Sequence, residues 1–210
     1  MMPKVSHMWK HGEKEKVSRH IDRSMELILC MVSALAFGLA AVADRFAPLF
    51  YGEDFRYSGM LMIPLAFTLI MIGFANVIRT QVVLPQERDQ IFVKSVCTGA
   101  VVNLAANACL IPSLKSMGAV IGTLLAEMAV PTVQYLILRK ELPYRQYLKY
   151  FAVYALFGGI MLASVRLTAH LLPQENWWTL AAMTATGIAV YTVLCLGYWK
   201  ITGKSFRELA

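Results

Sequence analysis

The hydrophobic positions of this chain fall into six long runs separated by short polar or charged stretches, covering about 24–43, 58–84, 91–111, 117–138, 150–172 and 177–199. Each run is near the roughly 20 residues that a helix needs to cross a hydrocarbon core about 30 Å thick. The pattern therefore predicts an all-α, polytopic membrane bundle of six transmembrane helices. Residues 1–23 form a basic lead, with a surface helix expected from Glu13 onward, and 200–210 a short basic tail.

The residues between the runs fit this division. Pro85 closes the second run and opens a polar loop at 86–90, while Pro112 closes the third. About five residues join the third and fourth runs, a length that only an antiparallel hairpin satisfies. Residues 44–57 read as a loop whose rings (Phe46, Phe50, Tyr51, Phe55, Tyr57) settle at the headgroup level. Trp177 and Trp178 at one end of the last run, with Tyr198 and Trp199 at the other, are placed like interfacial anchors.

Composition strengthens the membrane reading: 58% of residues are hydrophobic and 16% charged, against roughly 45–50% and 25% in ordinary soluble domains. The net charge of +7 raises nucleic acid as a partner. Alternating the six runs, however, assigns 16 of the Lys and Arg residues to one side and leaves only Arg45, Arg56, Lys115 and Arg166 on the other. That asymmetry is the positive-inside bias, which puts both termini in the cytoplasm and makes nucleic acid unnecessary. The lead has no apolar stretch followed by a small-residue cleavage site, so the first run is expected to act as the insertion signal. Cys30, Cys97, Cys109 and Cys195 all lie inside apolar runs, away from metal-ligand spacings, and read as small core residues.

A few polar side chains interrupt the runs. Glu127 lies near the middle of the fourth, where a carboxylate is costly unless it faces protein or water, so it is the first candidate for a site. Thr123 and Gln134 lie close to its face of the helix, and Pro131 frees a backbone carbonyl nearby. The competing reading is a protonated Glu127 hydrogen-bonded to a neighbouring helix. Asn103 and Asn107, one turn apart in the third run, project to one face; amides so placed also serve simply to join helices. Asn76, Arg79 and Thr80 share a face of the second run, where Arg79 either contacts an anionic lipid phosphate or snorkels to the headgroups. Lys94 and Arg166, near run ends, read as snorkelling cations. Gly118 and Gly122 make a small-xxx-small motif for close helix approach. Gly197 is one residue too far from Gly203-Lys204-Ser205 for a phosphate-binding loop. His7, His11, His20 and His170 lack partners at ligand spacing, so neither metal nor cofactor is expected.

Several segments resemble the polysaccharide transport proteins of the multidrug, oligosaccharidyl-lipid and polysaccharide flippase superfamily. Met2-Pro3-Lys4-Val5-Ser6 resembles the Leu-Pro-Arg-Ile-Ser type of segment in their second half, and Ala47-Pro48-Leu49-Phe50-Tyr51-Gly52-Glu53-Asp54-Phe55 their external loop. Gln81-Val82-Val83-Leu84-Pro85-Gln86-Glu87-Arg88 looks like the end of the next helix. Gly99 to Asn107 and Gly118 to Glu127 resemble their helical hairpin. The likeness spans most of residues 2–140 and rests on order and spacing. It implies the second lobe of a MATE-like flippase in the bacterial inner membrane. The implied activity is moving an undecaprenyl-diphosphate-linked oligosaccharide for polysaccharide synthesis by alternating access, with Glu127, Asn103, Asn107, Asn76, Arg79 and Gln134 at the cavity. Family members have twelve or fourteen helices, so the implied partner is a missing N-terminal lobe or a second copy. A drug or metabolite exporter of the same superfamily would show more cavity acids than Glu127. A membrane enzyme of envelope polymer synthesis would draw on Asp44, Glu53 and Asp54.

Overall fold

The computed structural model describes Trp9 and residues 14–203. The resembling segment Met2 to Ser6, most of the lead and the Lys204–Ala210 part of the tail lie outside the described residues. Among those described, the chain is helical throughout, with six helical passes long and apolar enough to cross a membrane. They are α1 (Lys14–Tyr51), a second pass divided into α2 (Arg56–Ala66) and α3 (Thr68–Ile78), α4 (Asp89–Leu114), α5 (Ser116–Leu138), α6 (Tyr144–Leu171) and α7 (Trp177–Ile201).

α1 is the trunk, packed against α2, α3, α6 and α7. Val17, Ile21, Met25 and Leu29, spaced by one helical turn, are each at most 2% exposed. The surface helix expected from Glu13 is thus corrected: it is the first part of α1, and its apolar stripe enters the core. Further along, Ala36, Ala40, Ala43 and Ala47 are buried, and such small side chains let neighbouring backbones approach where apolar surface gains nothing over lipid. A Cβ added at Gly59 of α2 would stand 2.7 Å from the Ala43 carbonyl. The aromatic loop expected at 44–57 is also corrected. α1 continues through Pro48 to Tyr51, leaving Gly52, at φ 101°, and a short 3₁₀ turn at Glu53–Phe55. An Asp-Arg-Phe stretch reads as a loop by polarity, yet Asp44 and Arg45 gain tertiary partners that hold them in the helix.

The second pass is not one rod. Pro64 lacks the N–H that would continue the ladder, and the turn after it tightens, with Phe67 N donating to Pro64 O at 3.1 Å and Ile70 N to Phe67 O at 3.2 Å. The pass then widens into a π-helical turn at Arg79–Val83 before the 3₁₀ turn Leu84–Gln86. α4 and α5 are joined through Lys115 alone, tighter than the five-residue connection expected, and form the most intimate helix pair in the molecule. Asn176 caps α7 by accepting from Thr179 N at 2.8 Å.

Two ends can be told apart. The aromatic end carries Arg45, whose guanidinium donates to the carbonyls of Ala169 in α6 (2.6 Å) and of Leu172 just beyond it (2.8 Å), and Arg56, which reaches Glu53 and Glu175. Arg166 pairs there with Asp44 and donates to Ala40 O, which corrects its reading as a snorkelling cation. The basic end carries Arg88, bonded to Glu141 at 2.5 and 3.1 Å.

Candidate functional site

α3 with its following π-turn, α4 and α5 border an open cavity of about 390 Å³ lined by Asn76, Arg79, Asn103, Glu127 and Gln134, five of the six residues expected at the cavity, on walls that include Phe92, Gly99 and Val130. The pocket begins within a turn or two of the basic end, beside Arg79, Phe92 and Gln134. It reaches inward to Glu127, eleven residues before the end of α5, or about 16 Å at 1.5 Å per residue.

Glycine makes the pocket possible. A Cβ on Gly118 would lie 2.5 Å from the Leu110 carbonyl, and one on Gly122 would lie 2.2 Å from Asn107 Oδ1. At Gly99 the limit is Val130, 2.9 Å away. These three glycines let α4 and α5 approach closely, and Gly99 also lines the cavity.

The Arg79 guanidinium lies over the Phe92 ring, 4.9 Å from its centre, and its Nε is buried without a hydrogen-bond acceptor. Gln134 is 1% exposed, and its Oε1 has no donor. Glu127 is half-buried and faces the pocket. Asn107 lies behind the cavity wall and donates from Nδ2 to Asn103 Oδ1 at 2.9 Å, so it orients a lining amide instead of lining the pocket itself. Thr80 donates to Asn76 O at 2.7 Å, and Thr123 to Ala119 O at 3.0 Å, so both hydroxyls are spent on their own helices. Buried donors and acceptors left open cost about 1–3 kcal/mol each. A cationic fork, a carboxylate and amides around one cavity can together hold a polar, anionic group within a membrane-spanning region. A π-turn begins at Arg79, where the helical register changes.

One buried acid was missed by the sequence reading. Glu26, in the first part of α1, is 2% exposed and accepts from Tyr154 OH at 3.3 Å, while Trp199 Nε1 donates to Tyr154 OH at 3.1 Å. Its one-turn spacing from Asp22 was the available signal, hidden because both sit where the basic lead gives way to the first run. Of the acids considered for an enzyme, Asp44 pairs with Arg166 and Glu53 with Arg56. They are structural ties.

The family model described as Lipid II flippase MurJ matches residues 1–194. No curated protein and no solved structure matches the chain.

Proposed function

The chain belongs to the lipid II flippase MurJ family, and from that premise we propose that its α3–α4–α5 cavity receives the polar head of a lipid-linked sugar as the carrier moves it across the membrane. Its family makes it a transporter of lipid-linked precursors for the cell envelope, and its helices make it a multi-pass protein of the bacterial inner membrane. Lipid II is the cargo we place first, because the family is described by it. The undecaprenyl-linked oligosaccharide suggested by the polysaccharide-transport likeness is second. Both present the same chemistry: a diphosphate, an isoprenoid chain and hydroxyl-rich sugars.

The convergence of Asn76, Arg79, Asn103, Glu127 and Gln134 on one cavity carries this reading. Arg79 supplies the cation for a phosphate oxygen, and the planar guanidinium suits such a group. The amides of Asn76, Asn103 and Gln134 offer donors and acceptors to sugar hydroxyls. Glu127 repels the diphosphate when ionised and donates a hydrogen bond when protonated, which gives the cavity two affinities for one cargo. The basic end is cytoplasmic in this scheme, as the 16 to 4 distribution of basic residues supports. A second lobe or second copy completes the path.

The test is growth of a bacterium depleted of its own lipid II flippase and supplied with the coding region that contains this chain. Arg79→Gln and Glu127→Gln are expected to abolish rescue at unchanged membrane levels, while Thr132→Ala, on another face of α5, leaves rescue intact. Full rescue by both cavity variants would remove the cavity from the transport path. Rescue restricted to a strain lacking a polysaccharide flippase would promote the second cargo.

A further inference from the structure

A second polar cavity lies at the basic end, between the end of α5 and the start of α6. It is an open hollow of about 720 Å³ lined by the exposed Arg139, Arg145 and Lys149 together with Tyr135, Tyr144 and Leu142. The one acid of the connecting segment, Glu141, is drawn away onto Arg88 at 2.5 Å, and the three cations carry no ion pair among the described residues. Basic residues that merely set topology need only face the headgroup layer. These three instead converge on one hollow, with the Tyr135 and Tyr144 rings packed edge to face, 4.8 Å apart, as its apolar wall.

The hollow does not end at the headgroup level. Tyr135, Tyr144 and Arg145 also border an apolar groove of about 490 Å³ that runs on between α5 and α6 past Met128, Leu148 and Phe151. A cationic hollow continued by an apolar trough matches a molecule with an anionic head and a hydrocarbon chain; a free phosphate would use the first part alone. The groove is also separate from the transport cavity. On α5 the cavity takes Glu127, Val130 and Gln134, and the groove takes Met128, Pro131 and Tyr135, so the α3–α5 pair forms a wall between the two.

We propose that this is a binding site for an anionic phospholipid of the bilayer, with its phosphate on Arg139, Arg145 and Lys149 and one acyl chain along the α5–α6 groove. Each basic side chain adds attraction for an anionic lipid surface, and here three act on one phosphate. The occupant packs on the reverse side of the wall that carries Glu127 and Gln134. The assignment stands whether or not the chain carries lipid II.

The purified chain in detergent, titrated with phosphatidylglycerol or phosphatidylcholine and read by native mass spectrometry, tests it. Phosphatidylglycerol is expected to bind the wild type at least about tenfold more tightly than phosphatidylcholine, a preference that the triple variant R139Q/R145Q/K149Q abolishes. The control R23Q/K94Q/K200Q, which removes equal charge outside the hollow, is expected to keep it. Leu148→Trp, which fills the groove, should weaken phosphatidylglycerol while leaving glycerol 3-phosphate binding unchanged. Equal losses in the two triple variants, with helix content and monodispersity retained, would overturn the site. Glycerol 3-phosphate displacing the lipid at comparable concentration would overturn the lipid assignment in favour of a free phosphate.

Discussion

The α1–α6–α7 side and the α4–α5 hairpin use polar residues inside the bundle in opposite ways. On the first side, Trp199, Tyr154 and Glu26 form a chain of hydrogen bonds, Tyr191 OH donates to Cys30 O at 2.7 Å, and the Cys30 and Cys195 sulfurs lie 3.7 Å apart. Those groups face one another across helix contacts. On the hairpin side Arg79, Glu127 and Gln134 face a hollow. A polar group within a membrane bundle is therefore no sign of function by itself; what separates glue from site is whether its partner is protein or empty volume. The two sides also differ in cover. α4 is the least buried of the six passes, touching the rest of the bundle mainly through α5.

The sharpest way to break this contrast is to pry the hairpin open. Gly118→Val puts side-chain atoms where a Cβ alone already meets Leu110 O at 2.5 Å, backbone that has no rotamer to yield. A loss of about 3 kcal/mol is expected, the upper part of the range for overpacking, seen as a lower unfolding midpoint together with loss of transport. A midpoint within experimental error of wild type would mean that α4 and α5 are not in this contact.

Glu26 and Glu127 divide the two roles. Glu26→Ala leaves the buried Tyr154 hydroxyl without its acceptor and is expected to cost about 2 kcal/mol, while transport per folded molecule stays near normal. Glu127→Ala should do the reverse, with little change in stability and loss of transport. If Glu26→Ala spared stability and abolished transport, the α1–α6–α7 seam would have to be counted as part of the path.

The sequence made the hairpin side legible because its signals are local. Glu127 and Gln134 interrupt apolar runs, Asn103 and Asn107 are one turn apart, and Gly118 and Gly122 keep the small-residue spacing; α4–α5 closure then brings them together from a short connection. The other side was hidden because its pairs are distant in the chain. Nothing near Arg166 names Asp44, 122 residues away, and nothing near Glu26 names Tyr154, 128 residues away. The same blindness explains the loop expected at 44–57: polarity favoured a loop, and the partners that overrule it come from α6. The division of the second pass at Phe67 was not read, although Pro64 was a local signal for it, whereas the π-turn at Arg79 carries no residue signal of its own.

The cysteines offer a smaller but direct check on which helices touch. Copper phenanthroline in membranes is expected to join Cys30 to Cys195 across α1 and α7, read as one cross-linked peptide pair after digestion. Cys97 and Cys109 sit on the exposed surface of α4 and should stay unjoined within one chain. Absence of the Cys30–Cys195 product, under conditions that oxidise the exposed cysteines, would separate α1 from α7 at this level.

The smallest effect belongs to the aromatic end, where α2 is tied to the α6–α7 turn. Arg56 donates to Glu175 at 2.7 and 3.2 Å, and that hydrogen bond holds the Glu175 carboxyl below its ordinary value of 4.5. Because the folded state binds this proton less readily than the unfolded state, the tie adds stability above the ordinary glutamate range. That contribution is lost as pH falls through the lowered folded value. Both partners are open to water, so the gain is screened and small. Glu175→Gln is thus expected to lower the unfolding midpoint slightly at pH 7, by a gap that narrows as pH falls below 4.5 toward the lowered folded value. A gap that did not narrow as pH falls below 4.5 would show that Glu175 acts through packing in the turn and not through its charge. The aromatic end would then resemble the α1–α6–α7 seam, held by fit, more than an electrostatic clasp.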